Sequence, residues 1–467
     1  MSPANFRLIK RVTYILLSGL LIIGIRYAWL SLPIITGYSA KMACSCMYLS
    51  GRPIESVESQ ELGGFPLRLA SVSANLKDSS VSATVAGLAR KKAIYREGLG
   101  CTLINGTSEA EVRNQKIISG PGLLRDADTI PWPNGDQLPP EPVQGINQSL
   151  LNHTVQLAFR ETDPGKPIRT RAVVVLYKGE LIAEQYAPGF DRHTRMLSWS
   201  MAKSVTSALT GILVRKHLID PNAPLPVTAW TSATDGHQRI RLEHLLQQTT
   251  GLDFEENYSK STDATDMLFK KGDMGNFAAG MRMKDEPGKV FYYTSGNSNI
   301  LSRVIRTVVG DSSYQLFPYR ELFQPLGMYS AVLEADASGT FVGSSYMFAN
   351  ARDWARFGLL YANDGIWNGQ RILPEGWVSA SIKPAPAAPQ GEYGYQFWLN
   401  AGQPGNPANR KFPGLPADLY YADGYEGQYV FIIPSKKLVV VRLGQTPGPW
   451  FDVTAFLQGI IESMPEK

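Results

Sequence analysis

The sequence predicts an α/β fold of the α+β kind: a mostly antiparallel sheet flanked by helices, with a largely helical region, about 200 to 390, beside it. Three stretches carry that prediction. Ala172 to Lys178, Gly179-Glu180 and Leu181 to Ala187 read as two strands joined by a tight hairpin, and Gln428 to Ile433, Ser435-Lys436-Lys437 and Leu438 to Leu443 read as a second hairpin. Between them, Val205, Ala208, Leu209, Ile212 and Leu213 recur at the i, i+3, i+4, i+7 spacing of a buried helix face, within a segment running from Ser200 to about Lys216. With 467 residues and 44% hydrophobic content, the chain can bury a large core and exceeds one ordinary domain.

Taken in order, the chain opens on Arg7, Lys10 and Arg11, followed by an uncharged apolar run from Val12 to Ile25. That pattern is a signal-peptide core by length, and Tyr27 to Ile35 extends it beyond Arg26 to membrane-spanning length. Residues 1–40 are therefore expected to form a signal anchor or transmembrane segment whose partner is the membrane. The catalytic part would then lie outside the cytoplasm, periplasmic or extracellular, or be secreted if the segment is cleaved. Cys44 and Cys46 follow closely, so either could bridge to Cys101, leaving one cysteine over. No histidine lies near the pair to complete a tetrahedral metal site.

Residues 41–147 read as an N-terminal extension: Ser71 to Val85 is rich in Ser, Val and Ala, Leu88 to Glu97 is basic, and Pro121 to Pro142 is loaded with Pro, Gly and Asp. Asp126, Asp128 and Asp136 have the spacing of loop residues rather than of ligands. Residues 148–467 are expected to hold the chemistry. A net charge of +5 without a Lys/Arg-rich block gives no reason to expect nucleic acid as a partner and leaves small-molecule chemistry as the default.

The chemistry-bearing stretch is Trp199-Ser200-Met201-Ala202-Lys203-Ser204. Residues three apart share a helix face, so Lys203 can bring its amine to the Ser200 hydroxyl. A serine becomes a nucleophile when a neighbour takes its proton, and a desolvated lysine can be that neutral base. The free N–H groups at the helix start suit an oxyanion. A hairpin feeding an S-x-x-K helix resembles the serine beta-lactamase and penicillin-binding-protein superfamily.

That resemblance extends along the chain. Pro287-Gly288-Lys289-Val290-Phe291-Tyr292-Tyr293-Thr294-Ser295 is similar to the superfamily's P-G-x-x-F-x-Y-[ST]-[NS], which aligns Tyr293 with the catalytic tyrosine. A tyrosine beside an ammonium can have a lowered pKa and shuttle a proton to the leaving group. Ser295 then falls at a substrate-binding position where many relatives carry Asn. Ile240 to Leu252 resembles the "R-H-L-L-x-x-T-S-G-L" segment, in which His244 reads as a packed histidine, and no histidine has the spacing of a Ser-His-Asp triad. Arg352, Asp353 and Arg356 read as structural ion pairs.

The family's K-T-G or H-x-G strand corresponds to Ala422-Asp423-Gly424, so the usual cation is replaced by Ala422. Since relatives use that cation against a substrate carboxylate, its loss argues against penicillin-like substrates. Gly424 remains as a substrate-binding backbone position, and the amides of Ser200 and Tyr425 are expected to form the oxyanion hole. Gly424-Tyr425-Glu426-Gly427-Gln428 most resembles the aminohexanoate-dimer hydrolase branch, alongside esterases of the same fold. The resemblance, from about Gln148 to Ile461, implies a beta-lactamase/transpeptidase-like serine hydrolase cleaving amides or esters of small substrates through an acyl-enzyme on Ser200. Neither metal nor cofactor is expected. The alternatives are a membrane-anchored, non-enzymatic scaffold or binding protein of the same fold, and an acyltransferase.

Overall fold

A computed structural model describes residues 3–115, 127–141, 143–231, 234–403 and 406–465. Its first element, helix α1 (Pro3–Tyr48), is continuous through Pro33. Most apolar side chains from Val12 to Leu30 are exposed, Trp29 at 79%, whereas those from Ile35 onward are buried or half-buried. A stretch of about 20 helical residues spans roughly 30 Å, the thickness of a bilayer core. The expected boundary between residues 40 and 41 thus falls inside a helix whose second half belongs to the folded body.

That second half packs on a four-stranded antiparallel meander, β1 (Ala70–Asn75), β2 (Ser80–Val85), β3 (Leu88–Arg96) and β4 (Gly100–Leu103). The Lys41 amine pairs with Glu334 inside the protein and donates to Ser45 Oγ at 2.8 Å, and Glu334 also accepts the Cys101 N–H at 2.6 Å. Cys44 forms the disulfide with Cys101, leaving Cys46 as a buried free thiol. The bridge spans 57 residues of sequence. Restricting a loop of that size in the unfolded chain contributes about 4 kcal/mol. Cys44→Ser is therefore expected to lower the thermal midpoint by several degrees, while Cys46→Ser keeps the bridge and melts close to wild type.

The main body continues with α2 (Gln148–Leu157), β5 (Thr170–Tyr177) and β6 (Glu180–Tyr186), then α3 (Met201–Arg215), α4 (Ser295–Val309) and α5 (Ala351–Ala362). It ends with β7 (Trp398–Leu399), β8 (Tyr420–Gly424), β9 (Gln428–Ile433), β10 (Leu438–Gly444) and α6 (Val453–Glu462). These strands form one antiparallel sheet in the order β7-β8-β9-β10-β5-β6, so both predicted hairpins join in a single layer.

Every residue of β5 and β10 is buried because both faces of the sheet are covered. Val173 and Val175 meet Leu151 of α2 and Leu457 and Ile460 of α6, whereas Val174 and Leu176 face the core shared with α3 and α5. Helix α5 reaches the sheet closely because Gly358 has no side chain: a Cβ there would collide with Val439 and Val430.

Arg352 and Arg356 hold this packing electrostatically. Arg352 bonds Glu184, and Arg356 bonds Asp136 at 2.6 Å and Asp353 at 2.7 Å. Asp128, Asp136 and His193, distant in sequence, bring their possible ligand atoms within 4.8 Å of one another. Their negative charge is already met by Arg192, Arg352 and Arg356, which makes the group a node of ion pairs. Asp126 lies outside the described residues.

Candidate active site

Ser200 opens α3 from an unusual backbone. Trp199 has φ +47°, a left-handed conformation rarely adopted by a bulky side chain, and this turns the chain from the short strand Met196–Leu197 into the helix. Trp199 is held there by aromatic neighbours: Tyr38 of α1 stacks on it at 6.1 Å between ring centres, and Tyr425 meets it edge-on at 5.8 Å. Ser200 occupies the N-cap position, yet its hydroxyl caps no backbone amide. Instead it accepts a hydrogen bond from Lys203 Nζ at 3.0 Å.

Lys203 is 1% exposed, and its amine also donates to Ser295 Oγ at 3.2 Å and to the Ser344 carbonyl at 2.9 Å. Among the described residues, no carboxylate touches it. Burial lowers its pKa to about 8, opposed by the more distant charges of Glu256 and Asp423. A useful fraction of the amine is thus neutral in mildly alkaline solution, the state a general base needs.

The Tyr293 ring lies 4.9 Å from Lys203 Nζ and packs against Trp398 and Tyr393. Its pKa is raised well above 10, with burial the largest cause and Tyr393 adding to it, while the Ser200 hydroxyl partly opposes the rise. The expectation of a lowered tyrosine pKa is corrected here. The amine faces the ring and offers no compensation large enough to offset desolvation, so the resting phenol is a proton donor.

Ser295, the first residue of α4, is 1% exposed and turned toward the lysine rather than left free for substrate. Its hydroxyl donates to Glu256 Oε1 at 2.6 Å and its N–H to Glu256 Oε2 at 2.8 Å, while Tyr258 donates to the same carboxylate at 2.7 Å. A chain of hydrogen bonds therefore runs Glu256–Ser295–Lys203–Ser200. Glu256 and Tyr258 escaped the sequence reading because they carry no local motif. The fold brings Glu256 to Ser295 across 39 residues of sequence.

The opposite wall is the end of β8. Ala422 is buried in the core. Gly424 passes so close to the Ser198 carbonyl that any Cβ would clash, which explains the glycine independently of substrate. Among the described residues, neither the Ser200 nor the Tyr425 N–H makes a backbone hydrogen bond. Asp423, between Ala422 and Gly424, is half-buried. Its pKa is pushed up to about 7 by desolvation, against the pull of Lys411 and Lys203.

Among the histidines, His244 accepts the Arg241 N–H at 3.1 Å, and His237 sits between Asp235 and the Met281 carbonyl, both structural arrangements. A cavity of about 590 Å³ opens on the side of the Tyr292 and Thr294 loop lined by Gly251, Arg282 and Asp285, and it does not include Ser200.

The Beta-lactamase family profile matches residues 150–458. A 6-aminohexanoate-dimer hydrolase of Paenarthrobacter ureafaciens is 25% identical over 308 residues, covering 60% of this chain and 74% of that one. Two solved structures share the fold. A penicillin-binding-protein homologue from Caulobacter crescentus has a TM-score of 0.52 at 15% identity, covering 68% of this chain and 96% of its own. A family VIII carboxylesterase has a TM-score of 0.52 at 16% identity, covering 68% and 98% respectively.

Proposed function

Because the chain belongs to the Beta-lactamase family, we propose that it is a serine hydrolase that cleaves amide or ester bonds of small substrates through an acyl-enzyme on Ser200. The observation that carries this reading is the 3.0 Å hydrogen bond from the buried Lys203 amine to a Ser200 hydroxyl that caps nothing. Neutral Lys203 takes the hydroxyl proton as Ser200 Oγ attacks the carbonyl carbon. The developing oxyanion is received by the Ser200 and Tyr425 N–H groups. Tyr293 passes a proton to the leaving alcohol or amine and regains it from Lys203. Water then adds to the acyl-enzyme by the same proton route, releasing the acid and restoring Ser200. An amine acceptor added during ester turnover separates hydrolysis from acyl transfer by the product formed.

The exposed half of α1 serves in this reading as an uncleaved membrane anchor. Its support is that the same helix continues into the body, where Cys44–Cys101 and Lys41–Glu334 hold it. The catalytic domain would then lie on the oxidising side of the membrane, where a disulfide persists. Tyr38 on Trp199 would put the nucleophile about 10 to 20 Å from the bilayer surface, counting 1.5 Å per helical residue from the last exposed apolar turn.

Glu256 acts as a positioning residue for Lys203 through Ser295. Glu256→Gln retains an acceptor for Ser295 but removes the charge that helps keep the ammonium protonated. Lys203 should then lose its proton at lower pH. The rising limb of kcat/KM against pH is expected near 8 in wild type and shifted to lower pH in Glu256→Gln, with kcat reduced by about threefold to thirtyfold from looser positioning. An unshifted limb would remove Glu256 from this role.

A further inference from the structure

We propose that the end of the β1–β4 meander beside the exposed half of α1 is a second membrane contact, a patch of apolar and basic side chains that seats the folded body on anionic phospholipid. This rests on reading that half of α1 as a membrane anchor, and it adds a surface that an anchor alone does not require.

Helix α1 runs alongside β3. The Thr36 hydroxyl donates to the Ala89 carbonyl at 2.6 Å, and farther along both elements the Tyr48 ring stacks on Tyr95. The turn joining β2 to β3 therefore points toward the exposed apolar half of the helix, and the turn joining β1 to β2 points away from it. Leu30 is the last of the exposed large apolar side chains on α1. Counting 1.5 Å per helical residue from Leu30 puts Thr36, and with it Ala89, about 9 Å farther on. Leu88, one strand residue nearer the membrane, falls at about 6 Å. The headgroup layer is about 5 to 8 Å deep on each side of a bilayer, so this end of the meander lies at headgroup depth.

The side chains found there suit that depth. Register pairs Ala70 with Val85 and Val85 with Leu88, so Leu69 and the tight turn that holds Phe65 arrive at the same end. Phe65 is 74% exposed, Leu88 61% and Leu69 47%. Arg68 and Arg90 are exposed beside them; the Arg68 guanidinium lies 6.0 Å from the Phe65 ring centre, and Arg90 reaches only the Ser82 hydroxyl. The Lys91 amine donates to Asn105 Oδ1 rather than to a carboxylate. Burial, and then the nearby Lys270 charge, hold its pKa below the usual lysine value. Among the described residues, Arg68, Arg90 and Lys91 form no ion pair, whereas Lys92 meets Asp78 and Glu109, and Lys270 meets Asp266. Cations without anions beside exposed apolar side chains match an anionic headgroup layer, in which the phosphates meet the charges and the apolar tips enter the acyl boundary. The contact also bears on the site: Tyr38, half a turn beyond Thr36, stacks on Trp199, so a body held at both α1 and this patch keeps the start of the Ser200 helix at a fixed height and tilt.

The test uses the full chain in lipid nanodiscs, in a Cys46→Ser background, with one nitrobenzoxadiazole label on Leu21→Cys, Leu88→Cys or Leu76→Cys. Leu21 lies midway along the exposed run of α1, and Leu76, 74% exposed, stands in the β1–β2 turn at the far end of the meander. Quenching is read from phospholipids carrying a nitroxide on the acyl chain, in phosphatidylcholine discs with and without phosphatidylglycerol. The Leu21 label should be quenched in both discs and the Leu76 label in neither, while quenching of the Leu88 label should be about twofold or more stronger in the anionic discs. Salt at 1 M, where the Debye length is about 3 Å, should remove most of that gain. Arg68→Gln combined with Arg90→Gln, both exposed, should at least halve it with an unchanged thermal melt. A Leu88 label quenched no more than the Leu76 label, or equally in neutral and anionic discs, would overturn the proposal and leave the anchor standing. A Leu88 label whose emission shifts to the blue without lipid quenching would put a second copy of the chain on this surface, and would overturn it equally. A Leu21 label left unquenched would overturn the anchor and the contact together.

Discussion

Replacing Ser200 with alanine is expected to lower kcat/KM for a p-nitrophenyl ester by about 10⁴-fold or more, with the fold unchanged. The magnitude follows from what the hydroxyl supplies. Without it no acyl-enzyme forms, and only the two amide donors and the shape of the cleft remain to assist direct attack by water. The fold should survive because the Ser200 hydroxyl caps no amide and its partners are the site side chains Lys203 and Tyr293. Steady-state kinetics together with a thermal melt check both halves: a fall of less than about tenfold would assign the nucleophile elsewhere.

Lys203→Met carries the second large effect, a loss of about 10³-fold or more in kcat with little change in chain packing. Methionine fills much of the lysine volume but cannot accept the Ser200 proton. A pH experiment distinguishes this base from a merely structural lysine. In the folded chain burial lowers the Lys203 pKa from 10.5 to about 8, so between those values the unfolded chain binds more protons than the native one. By linkage, the contribution of Lys203 to stability rises with pH across that window and is at its least favourable below about 8. Denaturant titrations from pH 7.5 to 10.5 should show this rise in wild type relative to Lys203→Met. Parallel curves for the two proteins would mean that Lys203 is not desolvated in solution.

Much of this site could be read from the chain because its spacing is local. The Ser200–Lys203 pair needs only one helical turn, and the apolar periodicity from Val205 to Leu213 marks the helix, although the fold buries every residue from Met201 to Leu213. Tyr293 and Gly424 were legible through motifs on either side of a turn and at a strand end. The hairpins at 172–187 and 428–443 were equally visible, since valine-rich runs broken by Gly-Glu and Ser-Lys-Lys leave few other structures open.

What the sequence hid was tertiary. Glu256 sits in an acidic, polar loop with no periodicity, and only the fold brings it to Ser295. Asp423 is legible as the middle of a motif, but not as the strand partner of Tyr429. The Tyr293 pKa was misread because the resemblance supplies an amine beside the phenol but not its enclosure by Tyr393 and Trp398. At the N-terminus, residues 41–48 were assigned to a separate extension, yet Glu334 and Cys101 draw them into the core as a continuation of the same helix. The Ser-rich strands of the meander alternate weakly because one face covers α1 and the other is wet, which leaves little hydrophobic contrast.

The most direct test of the central claim is where a covalent inhibitor lands. After incubation of the full chain with a fluorophosphonate, intact mass and peptide mapping are expected to show one adduct, on the peptide containing Ser200, formed in parallel with loss of esterase activity. An adduct on another residue, or full esterase activity after Ser200 has been modified, would contradict the account.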